Sequence, residues 1–194
     1  MNISNDFLPL YHKIDELRKQ QDRVVVAIDG MSAAGKSSLA ARLREKYSGN
    51  LISMDDFFLR PTQRTPERLN EPGGNIDYER FGSEVIQPMK TGQPFAYKPY
   101  DCQTGELSAS VAVTPNPLTI VEGVYSLHPR FAGVYDITVF LRLDQAEQRR
   151  RLLERNARLY DRFLQEWIPV ESKYFDAFQI AEQCDFVFYT SLLS

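Results

Sequence analysis

Apolar positions fall into two rhythms that alternate along the chain. Phe7, Leu10, Tyr11, Ile14 and Leu17 recur at three- and four-residue spacing with Asp15, Arg18 and Lys19 facing solvent, which predicts an amphipathic helix laid over a sheet. Val24, Val25, Val26, Ala27 and Ile28 then follow without a break. Such a β-branched run suits a strand buried on both faces, so residues 23–29 are expected to form the central strand. Residues 36–47 return to strong helix formers with Leu39, Ala40 and Leu43 on one side, and Ser48, Gly49 and Asn50 end them. A short strand over 51–54 completes strand, helix and strand in about thirty residues, the size of a βαβ unit, and predicts a parallel sheet.

Residues 60–74 hold Pro61, Pro66, Pro72, Gly73 and Gly74 and no apolar period, and read as an irregular, mobile loop. Long loops in compact domains tend to be functional. Beyond it the pattern predicts a helix over 81–89, then a hairpin over about 94–113 that turns at 101–105. Strands over 118–121, 137–143 and 186–189 resume the alternation, and a long Arg-rich helical stretch, 146–167, lies before the last of them.

Length and composition narrow the classes. With 194 residues the chain fits one domain, 1–194, and 43% hydrophobic against 25% charged residues are ordinary for a globular protein that folds. A net charge of −3 argues against nucleic acid as a partner, because a phosphate backbone is bound by a broad excess of Lys and Arg. The apolar run at 24–28 falls far short of the roughly 20 residues a membrane crossing needs, and no basic segment followed by an apolar run opens the chain. A cytoplasmic location is the expectation; assembly into a homo-oligomer is left open. Cys102 and Cys184 have no CxxC spacing and read as reduced thiols, and His12 and His128 lack partner residues for a metal site.

The chemistry concentrates where the first strand meets the next helix. Gly30, Met31, Ser32, Ala33, Ala34, Gly35, Lys36 and Ser37 match GxxxxGKS, with Ser38 continuing into the helix. Glycines let successive amides converge on phosphate oxygens, and the helix aims its positive end at the same anion. Lys36 supplies a mobile charge for the β- and γ-phosphates of ATP or GTP, and the Ser37 hydroxyl suits Mg²⁺. Asp55 and Asp56 follow the second strand, which puts a carboxylate at the carboxyl edge of the sheet; Asp55 is placed to take the proton of an acceptor hydroxyl, the alternative being a loop cap. Glu122 ends another apolar strand where P-loop proteins hold magnesium, the alternative being strand-end solvation. Arg151, Arg155, Arg158 and Arg162 are spaced by four, three and four residues and on one helix would form a stripe opposite Leu152, Leu159 and Phe163. That stripe is either a lid over polyphosphate, in which Arg151 and Arg155 are the candidate catalytic arginines, or a solvated face paired with Glu147, Glu154 and Asp161.

Together with the SMDDFF segment at 53–58, NID at 75–77, PYD at 99–101 and VEGVY at 121–125, the glycine-rich loop resembles the uridine kinase group of P-loop kinases, whose relatives include nicotinamide riboside kinase, phosphoribulokinase and the P-loop type of pantothenate kinase. The resemblance covers 23–189. It implies an α/β three-layer sandwich with a parallel sheet of about five strands, a hairpin over the acceptor and a helical lid over the triphosphate. It also implies Asp55 as catalytic base and metal neighbour, Glu122 and Ser37 on the magnesium side, Phe58 and Arg158 near the acceptor, Asp77 on the sugar hydroxyls and Tyr100 lining a base pocket. The implied activity is transfer of phosphate from ATP or GTP to a small metabolite, with uridine or cytidine leading. Nicotinamide riboside, pantothenate or another alcohol, and a regulator that only binds nucleotide, are the alternatives. Nucleoside-specific members carry a His on the hairpin that reads the pyrimidine, whereas Cys102, Gln103, Thr104 and Gly105 stand here.

Overall fold

A computed structural model describes residues 7–192. Helix α1 (Leu8–Leu17) buries Leu10, Tyr11 and Ile14, as its spacing predicts. Strand β1 (Val24–Gly30) leads through the glycine-rich turn into α2 (Lys36–Tyr47), which Ser48 closes in a left-handed conformation. Strand β2 (Asn50–Ser53) lies one residue earlier than the pattern suggests and stops before Met54, because Met54–Phe57 already turns as a 3₁₀ segment capped by the Ser53 side chain. The segment expected as an irregular loop is instead built of helical turns, Pro61–Gln63 and Pro66–Leu69. Arg68 organises it: its guanidinium bonds the carbonyls of Gly74 and Ile76 and both oxygens of Glu79.

Helix α3 runs as Tyr78–Phe81, a π turn Gly82–Ile86, and Gln87–Thr91. The π turn ends two residues before Pro88, which lacks an N–H and crowds the carbonyl four residues back, so the widened turn relieves the clash without ending the helix. The hairpin consists of two antiparallel pairs, β3 (Phe95–Tyr97) with β6 (Val111–Val113) and β4 (Tyr100–Asp101) with β5 (Glu106–Leu107). Strands β7 (Leu118–Glu122) and β8 (Ile137–Arg142) follow. The long Arg-rich helix expected over 146–167 is two helices. α4 (Gln145–Arg155) stops at Asn156, whose backbone is extended, and α5 runs as Tyr160–Arg162, a second π turn Phe163–Trp167, and Ile168–Phe178. Pro169 again sits just after the π turn. Strand β9 (Phe186–Tyr189) ends the fold.

All five long strands are parallel, in the order β2-β7-β1-β8-β9, so β1 is central and its apolar run is buried from both sides. Alternate side chains divide the core. Val24, Val26 and Ile28 meet α1 and α2 on one face, while Val121 and Phe140 meet α3 and α5 on the other, where Phe57, Phe81 and Tyr174 are fully buried. The chain is thus an α/β sandwich with the carboxyl ends of β1, β2 and β7 opening at one edge.

Gly30 shows how tightly that edge is built. Its φ is +136°, and a Cβ there would stand 2.3 Å from the Leu141 carbonyl oxygen of β8. Gly30→Ala is therefore expected to cost about 2 kcal/mol or more in urea unfolding; a loss below about 0.5 kcal/mol would mean β8 yields at no cost.

Candidate active site

In the turn after β1 the carbonyls of Ser32, Ala33 and Ala34 are held by side chains from later elements. Thr190 Oγ1 donates to the Ala34 carbonyl at 2.9 Å, Gln148 Nε2 to that of Ser32 at 3.0 Å, and Arg151 Nη1 to that of Ala33 at 3.4 Å. Among the described residues the amides of Ala33, Gly35, Lys36, Ser37 and Ser38 donate to no protein acceptor. Ala33 and Gly35 both take positive φ, 64° and 90°, which curls these amides round one centre at the start of α2. Such a concave set of donors at a helix N-terminus is an anion cradle. Lys36 lies across it, 9% exposed, with Nζ donating to the carbonyls of Gly30 (2.8 Å) and Met31 (3.0 Å).

A hydrogen-bonded chain links this cradle to the second strand. Ser37 Oγ donates to Glu122 at 3.2 Å, Ser53 Oγ donates to the other Glu122 oxygen at 3.1 Å, and the Asp55 amide donates to Ser53 Oγ at 3.3 Å. Burial pushes the Glu122 carboxyl above its usual range, against the pull of Lys36, and the charge of Asp55 pushes it the same way. The neighbouring acids divide their work. Asp56 accepts from Tyr97 on β3 at 3.1 Å and so fastens the hairpin, whereas Asp55 is exposed and acts electrostatically on Glu122, Glu171, Tyr125 and the Cys102 thiol. Ser37, Glu122 and Asp55 offer oxygen donors connected to the cradle, and among the described residues no group of three or more His, Cys, Asp or Glu forms a cage. That donor set fits magnesium, which keeps most of its waters and takes few protein ligands, and does not fit zinc.

On the side where the sequence places the acceptor residues, Phe58 pairs with Ile76 in an isolated antiparallel bridge. Tyr100 is buried, its hydroxyl accepting from Arg64 Nη2 at 3.0 Å. Asp77 is buried as well: one carboxylate oxygen caps α3 at the Arg80 amide and the other accepts from Gln63 Nε2 at 2.9 Å. Arg80 ties this region together by donating to the carbonyls of Lys98 (2.6 Å) and Asp56 (2.7 Å).

The four arginines do not form one stripe, because α4 ends between Arg155 and Arg158. Arg151 reaches the carbonyls of Ala33 and Thr190 and pairs with Glu147; Arg162 pairs with Glu166; Arg155 stands over the Phe163 ring; Arg158 is exposed. Of the remaining candidates, His128 is buried and stacked between Tyr78 and Tyr174, which pushes its pKa down to about 4, and both cysteines are free thiols.

Sequence reasoning missed three groups that meet the cradle. Asp29, fully buried, accepts from the amides of Gly30 (2.7 Å) and Leu127 (3.1 Å) and from Tyr174 (2.9 Å). Glu171 accepts from the amide of Ser32 at 3.1 Å and from its hydroxyl, and Gln148 holds the carbonyl of the same residue. Asp29 carries a readable signal, an acid closing an apolar strand. Gln148 and Glu171 carry none, since only docking of α4 and α5 brings them to the loop.

Among the described residues no helix is long and apolar enough to cross a membrane. No protein-family model matches the chain. It is 28% identical over 135 residues to phosphoribulokinase of Synechocystis sp., covering 65% of this chain and 40% of that protein. With uridine kinase of Haemophilus ducreyi it shares 26% identity over 140 residues, 65% of this chain and 64% of the relative. The chain thus spans less than two thirds of either. A Silicibacter sp. TM1040 structure, described as a candidate fructose transport system kinase, superposes with a TM-score of 0.73 at 21% identity over 97% of this chain and 99% of that one, a likeness of fold. The two sequence relatives support the resemblance to the uridine kinase family of P-loop kinases.

Burial raises the Asp29 carboxyl from the usual 3.8 to about 6. The folded state therefore holds this proton more tightly than the unfolded chain, and its contribution to stability falls as pH rises from about 4 to 6, the cost being complete above 6. Relative to Asp29→Asn, the unaltered protein is expected to lose on the order of 2–3 kcal/mol between pH 4 and 7 in urea unfolding. A difference between the two that stays flat over that interval would show that Asp29 ionises as freely when folded as when unfolded.

Proposed function

We propose that the chain is an ATP- or GTP-dependent phosphotransferase acting on a hydroxyl of a small metabolite, with the nucleosides uridine and cytidine as leading acceptors. The observation that carries the reading is the hydrogen-bonded path from the amide cradle through Ser37, Glu122 and Ser53 to the backbone amide of Asp55, whose exposed carboxylate is near enough to act electrostatically on Glu122 and Glu171. The names of the sequence relatives, a uridine kinase and a phosphoribulokinase, agree with transfer to a sugar-bearing alcohol.

In this reading the inward amides and Lys36 hold the polyphosphate, and the buried setting strengthens each contact relative to water. Lys36 exchanges its bonds to Gly30 and Met31 for phosphate oxygens, which requires only rotation of its side chain. Ser37, Glu122 and Asp55 would hold magnesium, which when bound neutralises charge on the β- and γ-phosphates. Asp55 orients the acceptor hydroxyl and accepts its proton, the usual role of a carboxylate beside a phosphoryl acceptor. Phe58, Tyr100 and Arg64 line the acceptor space. Asp77 reaches a sugar hydroxyl only by giving up Gln63, so its contribution includes holding that amide in place. Arg151 supports the cradle through Ala33, and Arg155 and Arg158 are the arginines left to approach the phosphates from the lid.

The decisive assay is nucleotide-dependent phosphorylation of a panel of uridine, cytidine, nicotinamide riboside and pantothenate. Turnover of one of the pyrimidine nucleosides with kcat/KM at or above about 10⁴ M⁻¹s⁻¹ supports the reading; turnover confined to another alcohol removes the nucleoside assignment, and no acceptor-dependent turnover removes the kinase. Asp55→Asn is expected to leave ATP affinity nearly unchanged and cut turnover by about 10² to 10⁴-fold.

A further inference from the structure

Ser32 is held at every polar group it has. Its amide and hydroxyl donate to the two oxygens of Glu171, and its carbonyl accepts from Gln148. The next residue, Ala33, has φ 64°, a left-handed conformation that a side-chain-bearing residue other than Asn or Asp rarely adopts and that persists only where neighbours enforce it. Gln148 and Glu171 are both buried, and they come from different helices, α4 and α5, one on each side of the Arg-bearing segment 156–167 in the chain. One turn beyond Glu171, Tyr174 donates to Asp29, which in turn accepts the Gly30 amide, so α5 grips the loop at two points from one face.

We infer that Glu171 is a positioning residue of the phosphate loop: with Gln148 it clamps Ser32 and thereby enforces the turn at Ala33 that aims the free amides inward. Spending the Ser32 amide on Glu171 leaves those of Ala33, Gly35, Lys36, Ser37 and Ser38 to an anion. Lys36 acts on the Glu171 carboxylate and offsets the presence of a buried acid beside an anion site. Because the clamp's two arms lie before and after the segment 156–167 in the chain, the shape of the loop and the seating of that segment depend on each other.

The inference rests on the nucleotide-binding reading, and calorimetric titration with ATP separates the two. Binding by the unaltered protein is required for both; its absence overturns the nucleotide site and the clamp with it. Glu171→Ala is expected to weaken ATP binding about tenfold, the effect of losing hydrogen bonds that hold a binding group in place. Glu171→Gln offers an oxygen to the Ser32 amide and an amide to its hydroxyl and is expected to bind within about threefold of the unaltered protein. Adding Ala33→Gly to Glu171→Ala should recover most of the lost affinity, since glycine takes positive φ without enforcement. A merely structural defect would not be repaired in that way. Gln148→Ala, read with and without Ala33→Gly, applies the same test from the other arm should Glu171→Ala fail to fold. Unchanged affinity in Glu171→Ala, or no recovery in either double variant whose thermal midpoint matches the unaltered protein, overturns the clamp.

Discussion

Lys36 brings an ammonium group into a site where little of it meets water, and a charge so placed is tolerated only with partners. Its field acts on three buried carboxylates, Asp29, Glu122 and Glu171, drawn from the end of β1, the end of β7 and the middle of α5. Burial raises all three acids, and Lys36 opposes the rise in each. A polyphosphate entering the cradle meets a cation already set among acids whose spare oxygens are occupied by Gly30, Leu127, Ser37, Ser53 and Ser32. The arrangement orders the site in advance, so in the proposed reaction fewer groups need reorganise as charge develops.

The sheet makes that convergence possible. Placing β7 between β1 and β2 puts Glu122 next to both Ile28 and Ser53, so one carboxylate spans from the phosphate helix to the strand that delivers Asp55. The adjacent acids then face different neighbours: Asp56 is taken by Tyr97 and the hairpin, leaving Asp55 exposed beside the cradle. Arg80 joins the hairpin and the Met54–Phe57 turn through two carbonyls, and its guanidinium also lies over the Phe57 ring at 4.3 Å. The acceptor side is thus braced by buried contacts.

The two prolines in helices α3 and α5 explain where the helical reading was too simple. Each is preceded by a π turn that absorbs the missing N–H, so helical periodicity passes through Pro88 and Pro169, while the true break falls at Asn156, whose side chain caps the following turn at Arg158 and Leu159. Reading four arginines as one stripe assumed a continuous helix; the extended backbone at Asn156 turns Arg158 and Arg162 off the line of Arg151 and Arg155.

Local pattern was enough for the strands, the phosphate loop and α2, because their cause is local: an unbroken β-branched run buries itself on both faces, and GxxxxGKS shapes its own backbone. The nearness of Asp55 to Glu122 was legible for the same reason, since the carboxyl ends of parallel strands share one edge, and the place of Ser37 followed from the loop motif. Glu171, Gln148, Tyr174 and Arg80 were not, and Arg151 was legible only as a lid candidate. Each is a polar residue on a helix whose place is set by which face docks on the sheet, and docking sums many apolar contacts distant in sequence. Sequence by itself determined a parallel sheet ending in a phosphate cradle with an acid beside it; only the tertiary packing decided which side chains hold that cradle in shape, because burial and partnership are properties of the assembled layers.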